Sequence, residues 1–288
     1  MNTIYIHAGS AHLDEIFAVA ILWLLRPDMI GCKVVRVQSV PDDIEDGDWV
    51  LDVGGEFDPA RHRYDHHQPG APEGLCAAGL LCRDLSPAFY GFLTQDPYQG
   101  TPSWFRVLNY VDTKGPFAFK KEFGALTSDA FGPALTRMLE SGNALEQFAA
   151  LHMTYEVMLQ WRKRHEESLQ IDEEAKALQL EYSMAHFTTG NKVTAVLVPS
   201  SDPRHAAARA RMEQWGEIQP AIQIGFDDRG DGMYILRRGD HHAVNLSSLD
   251  GHPAVEFAHK GGFIAKTKTR MTLDEVMELI RPCVDRME

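Results

Sequence analysis

A chain of 288 residues exceeds the usual single domain of about 100 to 150 residues, so two domains are expected. Apolar residues make up 44% and charged residues 24%, an ordinary globular balance that excludes a disordered, collagen-like or coiled-coil chain. With 28 basic against 41 acidic residues the net charge is −13, so no general basic surface attracts polyanions and any phosphate partner must be held locally.

The cysteines Cys32, Cys76, Cys82 and Cys283 form no Cys-x-x-Cys pair, which reads as reduced thiols in a cytoplasmic protein. The longest apolar run, residues 16–25, is half of the roughly 20 residues a membrane helix needs, so no membrane association is expected. The first six residues lead directly into a strand pattern, without the basic start and cleavage site of a signal peptide.

In chain order, residues 3–6 are β-prone and end at His7, and 14–25 form an apolar helix stopped by Arg26-Pro27. Residues 33–37 and 48–53 read as strands, the second ending in Asp52-Val53-Gly54-Gly55, where glycines permit a sharp turn. Strands and helix in this succession imply an α/β fold with a parallel sheet. Ligands of such sheets bind outside the carboxyl ends of the strands, where both His7 and Asp52 fall. Residues 68–82 read as a loop rich in Gly, Pro and Cys, 103–111 as a helix capped by Ser103, and 145–176 as one or two connecting helices. Beyond, 178–186, 192–198, 222–226, 233–237 and 242–246 read as strands, with helices at 203–215 and 273–280. The expected organisation is a catalytic domain over 1–170 and a smaller α+β domain over 171–288.

Five of the 13 histidines fall in the first 67 residues, all beside carboxylates in two segments: His7-Ala-Gly-Ser-Ala-His12-Leu-Asp14-Glu15 and Arg61-His62-Arg63-Tyr64-Asp65-His66-His67. Imidazole and carboxylate together suit borderline divalent ions such as Mn(II), Co(II) or Zn(II), where oxygen donors alone would suit Mg(II) or Ca(II). The donors outnumber what one ion needs, and two ions about 3.5 to 4 Å apart are the usual clamp for in-line displacement at phosphorus.

Asp65-His66-His67 after a strand ending in Asp52, with His7, His12 and Asp14 upstream and Asp112 downstream, resembles the DHH phosphoesterase superfamily. Within it, His-x-Gly-x-x-His-x-Asp-Glu at 7–15, Asp-Val-Gly-Gly-x-x-Asp-Pro at 52–59, His-Arg-Tyr-Asp-His-His-Gln at 62–68 and His-Lys-Gly-Gly-Phe-Ile at 259–264 are similar to the melanocyte-proliferating-gene (Myg) family. The resemblance implies a DHH-type domain with two Mn(II) ions, one held by His7, His12 and Asp52 and the other by Asp14, Asp52, His66 and Asp112. It further implies that His67 faces the scissile phosphate as a catalytic residue and that Asp65 orients the histidine pair. A carboxylate is commoner in the superfamily at the place of His12; an imidazole there lowers the negative charge and favours Mn(II) over Mg(II). Lys114, beside Asp112, is a weaker candidate for contact with the reacting phosphate.

An Asp-His-His triplet alone is weak evidence, since charged turns carry such residues by chance; its order with the other motifs makes it specific. Arg61, His62 and Arg63 have two readings, phosphate contacts or a solvated loop, and are left out of the core site; Glu15 also has two, a distant ligand or a first-turn helix carboxylate, the second preferred; His241-His242 is read as structural. Residues 257–273 contain no acid, and Lys260, Lys266, Lys268 and Arg270 surround Gly261-Gly262. By the resemblance this glycine-rich segment closes over the substrate, with His259, Gly261, Gly262, Lys266 and Lys268 as its contacts; the bland reading is an edge strand guarded by lysines.

The implied activity is a Mn(II)-dependent phosphodiesterase, a 3′-5′ exonuclease on RNA or short single-stranded oligonucleotides, with Trp104, Phe105 and Phe263 as stacking surfaces. The net charge favours short oligonucleotides or a mononucleotide-scale substrate. The alternatives are a phosphohydrolase of pyrophosphate or a dinucleotide, and a sensor that binds metal or nucleotide without turnover. Nothing in the sequence fixes the oligomeric state, a homodimer included.

Overall fold

The computed structural model describes residues 2–96, 101–124, 131–177, 183–187, 193–198, 210–211, 220–227 and 229–284. The chain divides into two compact units, Met1–Glu166 and Glu167–Glu288.

The first unit starts with β1 (Thr3–His7), where Ile4 and Ile6 are fully buried and their neighbours are not, the period of two that a strand imposes. α1 (Leu13–Leu25) buries Ile16 and every residue from Ala18 to Trp23, which is why its sequence is apolar on nearly all sides. β2 (Lys33–Val37) and β3 (Trp49–Leu51) lie either side of β1 and parallel to it. β5 (Arg63–Tyr64) runs parallel to β3, and β4 (Phe57–Asp58) closes the edge antiparallel, in the order β2-β1-β3-β5-β4. The unit is thus a mixed α/β layer with parallel strands at its centre. Ile6 pairs with Leu51, so the next residues, His7 and Asp52, emerge at one edge of the sheet.

Residues 68–82 form a loop only as far as Cys76; α2 (Ala77–Leu85) begins there and buries residues 77–82. Its small residues, which suggested a loop, permit close packing on α1, and a Cβ on Gly79 would stand 1.9 Å from Asn109 Oδ1. α3 (Pro87–Thr94), α5 (Pro116–Phe123) and α6 (Gly132–Glu140) are short helices with proline in the first turn, where its missing N–H costs no bond. α4 (Trp104–Lys114) starts at the expected cap, Ser103 Oγ accepting the Arg106 N–H at 3.2 Å. α7 (Ala144–Ala177) is one unbroken helix of 34 residues.

The second unit is an α+β layer: β6 (Ser183–Phe187), β7 (Val193–Val198), β8 (Ile222–Phe226), β9 (Met233–Arg237), β10 (Val255–Ala258) and β11 (Ile264–Thr267) join in the order β10-β11-β9-β8-β7-β6. α8 (Leu273–Ile280) is capped by Thr272, with Glu275 reaching back to the Thr272 N–H, and buries Val276, Met277, Leu279 and Ile280. Residues 242–246 are not the expected strand. Ala243, Val244 and Leu246 are apolar because they enter the core from a turn that leads into a 3₁₀ segment, Leu246–Leu249. The expected helix at 203–215 falls almost wholly outside the described residues, as do 178–182 and 192 of the expected strands.

Candidate metal centre

Four loop and helix ends of the first unit meet beyond the sheet edge. After β3 the backbone turns at Asp52, which has a φ of 58°, a left-handed conformation that non-glycine residues rarely adopt and that aspartate tolerates better than most. Its side chain is 2% exposed. After β5 comes Asp65, whose carboxylate accepts the backbone N–H groups of Gly55 at 2.6 Å, His66 at 2.6 Å and His67 at 3.0 Å, with His67 Nδ1 at 2.7 Å. Burial works to raise the Asp65 pKa, but these bonds outweigh it and hold the carboxyl below its usual value.

The N-terminus of α1 supplies two further carboxylates. Asp14, fully buried, accepts from the first amides of α2, Ala77 N–H at 2.9 Å and Ala78 N–H at 2.7 Å, so it both caps that helix and is fixed by it. Glu15 Oε2 accepts the His12 N–H at 2.9 Å, while Arg36 holds the preceding loop through the carbonyls of His7 and Gly9. Asp112 approaches from the last turn of α4.

His66 Nε2 lies 3.0 Å from Asp112 Oδ2, 3.3 Å from Asp52 Oδ1 and 3.9 Å from Asp14 Oδ2. Despite this proximity it makes no aligned hydrogen bond, and Asp52 Oδ1 and Glu15 Oε1 are likewise buried without a hydrogen-bond partner. A buried polar atom left unpaired costs about 1–3 kcal/mol, so three of them in one cluster point to a partner other than protein. The donors fall into three mutually close groups, Asp14-His66-Asp112, His12-Glu15-Asp52 and Asp52-His66-His67. Burial, then the Asp52 and Asp112 charges, push the Asp14 carboxyl well above its usual range; burial chiefly raises Glu15 to about 8. Burial would lower His66, but Asp112 and Asp52 beside it prevail and raise it to about 10. Crowded carboxylates with imidazoles among them and buried polar atoms left without a partner form a set that can hold divalent metal.

Of the residues expected in the site, Asp14, Asp52, His66 and Asp112 are brought together, and His12 and His67 stand beside them. His7 belongs to none of the three groups; its ring stacks on that of His12 with centroids 6.4 Å apart. Glu15, for which the sequence offered a distant ligand or, preferably, a helix-turn residue, occupies that turn and also lies in the cluster with His12 and Asp52.

Other expected contacts are otherwise engaged. Lys114 Nζ pairs with Glu73 at 3.1 Å, Phe105 is fully buried, and Trp104 packs into the core against Phe17 and Trp161, so neither aromatic is free for a base to stack on. His62 stacks on Trp49 at 4.1 Å. In the second unit Lys266 pairs with Asp227, and Lys268 Nζ donates to the Pro253 carbonyl at 2.8 Å. Gly262, at φ 67°, donates its N–H to the His259 carbonyl in the β10–β11 turn, and a Cβ there would meet Asn245 Oδ1 at 2.0 Å. The His-Lys-Gly-Gly pattern thus has a local structural reason. Phe263 remains 39% exposed against the His259 ring.

Residues 3–80 match the family model MYG1_exonuc, described as an uncharacterised protein family (UPF0160). A relative called MYG1 protein, from Chlamydia trachomatis, is 24% identical over 95% of this chain and 94% of its own length. Over residues 3–80 the chain is similar to the MYG1 family. Relatives named MYG1 exonuclease from human and rat are 43% and 48% identical over 88 residues, 26% of this chain. The matched stretch spans 23% of each of those two proteins. The segment matching the MYG1 family model holds Asp14, Asp52, Asp65, His66 and His67, while Asp112 lies beyond it. Among the described residues no helix is long and apolar enough to cross a membrane.

Proposed function

We propose that the chain is a Mn(II)-dependent phosphodiesterase of DHH type, a 3′-5′ exonuclease acting on RNA or short single-stranded oligonucleotides. The observation that carries this reading is the set of three orphaned donor atoms, His66 Nε2, Asp52 Oδ1 and Glu15 Oε1, in one buried cluster of four carboxylates. Two divalent ions, when bound, lower the pKa of water, neutralise non-bridging phosphate oxygens and template in-line attack. One is assigned to Asp14, His66 and Asp112, the other to the side of Asp52 that faces His12, with Asp52 shared. Asp65 fixes the ring of His67, which is 60% exposed and so free to meet a substrate phosphate and donate a hydrogen bond as charge builds there. The names of the mammalian relatives support a nucleic acid as substrate. In the second unit, exposed Lys260 and Phe263 are the side chains left for backbone and base contacts, beside His259 and Gly261. A cytoplasmic location belongs to the same reading.

The test is product analysis on 5′-labelled RNA and DNA pentamers with Mn(II), alongside pyrophosphate and the variant Asp52→Asn. Asparagine tolerates the left-handed backbone of position 52, so this variant keeps the fold while removing the shared charge. A ladder of shortened products from the wild type, reduced at least about 100-fold in the variant, is the expected result. Phosphate released from pyrophosphate alone would place the protein among small-molecule phosphohydrolases, and metal binding with no turnover would make it a sensor.

A further inference from the structure

We propose that the cavity between α1, β2, α6 and the start of α7 binds a small aromatic carboxylate, which steadies the loop bearing His7 and His12 through Arg36. The cavity has a volume of 230 Å³ and lies within the first unit. Its walls are Trp23 of α1, Val34 and Arg36 of β2, Leu139 of α6, and Phe148 and Leu151 of α7. Val34 and Arg36 are two residues apart on one strand, so they share a face of the sheet. An engineered void of roughly 150 Å³ lined by Leu, Ile and Phe takes up benzene, whereas drug-sized ligands need about 300 Å³ or more; this cavity lies between and suits a bicyclic ring. Phe148 is 53% exposed, so the space reaches the surface.

Two polar groups set the chemistry of the occupant. Arg36 is the single charged side chain in the lining. Its Nε donates to the His7 carbonyl at 3.3 Å and its Nη2 to the Gly9 carbonyl at 2.8 Å; among the described residues Nη1 makes no hydrogen bond. Glu15 Oε1 stands 4.0 Å from Nη2, beyond hydrogen-bond reach, so guanidinium donors remain for an anion. The second group is Trp23, 3% exposed, whose Nε1–H is buried without an acceptor. An indole N–H shut away from water ordinarily finds a partner. Gln147, also in the lining, is engaged: its Nε2 donates to the Ser141 carbonyl at 2.6 Å. One cation and one unpaired donor among apolar walls call for a ligand with a single negative charge borne on acceptor oxygens. The rings of Trp23 and Phe148, with centroids 6.5 Å apart and tilted by 41°, favour a flat aromatic body.

The same walls hold the loop between β1 and α1. Arg36 grips the carbonyls of His7 and Gly9, and Glu140, next to Leu139 in α6, accepts the Ala11 N–H at 2.7 Å. A ligand that fixes Arg36 therefore restrains the loop that carries His12. The consequence for Mn(II) rests on the metal-centre reading above; the binding step does not.

The full chain, without added metal, would be titrated by calorimetry with 2-naphthoate and with its neutral isostere 2-naphthamide. The proteins are the wild type, Arg36→Met, and Ala144→Phe, which fills the cavity from the first residue of α7. The expected result is 2-naphthoate binding below about 1 mM, weaker by about 10-fold or more for 2-naphthamide and for Arg36→Met, and absent in Ala144→Phe. In the wild type 2-naphthoate also raises the unfolding midpoint and slows amide hydrogen exchange in residues 8–11. No binding of 2-naphthoate to the wild type up to about 1 mM, or equal binding of the amide, would overturn the proposal, and neither result depends on how the variants fold. Bound 2-naphthoate with unchanged exchange at residues 8–11 would overturn the link to the loop. A dimer in sedimentation that Ala144→Phe dissolves would give this face to a second copy of the chain instead. Failure of the metal-centre reading is seen separately, as absence of Mn(II) binding by the wild type.

Discussion

Asp65 shows how one side chain serves both stability and chemistry. Its carboxylate is buried and meets four donors, three of them backbone amides that belong to the turn after β3 and to the histidine pair. Asp65→Ala leaves those donors unpaired and frees the His67 ring, so we expect a loss of about 2–4 kcal/mol in denaturant unfolding and a fall of at least about 10-fold in kcat. Wild-type stability in that variant would contradict this role. Most of the candidate site was legible at this scale because histidines and carboxylates are scarce and their order in the chain is informative. The burial of Glu15 was not, since nothing in the sequence distinguishes a hydrated first-turn carboxylate from a fully enclosed one. The partners of Lys266 and Lys268 were not legible either: a basic strip in sequence does not reveal the Asp227 carboxylate and the Pro253 carbonyl that they meet.

Elements transmit these positions to one another. Asn109 accepts the Cys76 N–H at 3.1 Å and donates to the Phe105 carbonyl at 2.7 Å, joining α4, which carries Asp112, to the start of α2, whose amides hold Asp14. The contact requires glycine at position 79. Gly79→Ala is expected to lower stability by about 1–3 kcal/mol and Mn(II) affinity with it, measured by thermal unfolding and titration; an unchanged midpoint would show that the two helices part at no cost. In the second unit the Lys266 ammonium, partly buried beside Asp227, holds that carboxyl below its usual 3.8. A depressed folded pKa gives stability that is present above 3.8 and lost as pH falls through the folded value. Lys266→Met should therefore cost about 1 kcal/mol at pH 7, a deficit that shrinks as the pH falls below 3.8 in urea unfolding followed across pH. Elements with local signals were readable: β2, β8, β9 and α8 match their expected bounds, and α4 starts from its serine cap. Of β10 and β11 the sequence offered only an edge strand guarded by lysines, because their turn is written in glycine and lysine. The run at 242–246 failed because buried apolar residues in a turn carry the same pattern as a short strand.

For the whole molecule, the decisive quantity is the net charge of −13. Long polyanions gain no distant attraction to such a surface, so binding must come from the site, where only a few phosphates make contact. The expectation is that kcat/KM for single-stranded RNA is no higher for a 30-mer than for a pentamer; a steep rise with length would require an extended basic track that the sequence lacks. Function was legible at this scale only as a class, through family motifs. Substrate identity depends on shape and on contacts that no single motif encodes. The central claim is that the carboxylate and imidazole cluster beyond β1, β3 and β5 is a divalent-metal centre. Diffraction from crystals grown with Mn(II), collected at the manganese edge, tests it most directly: the account requires two anomalous peaks about 3.5 to 4 Å apart among Asp14, Asp52, His66 and Asp112. Peaks elsewhere, or none at saturating Mn(II), would contradict it.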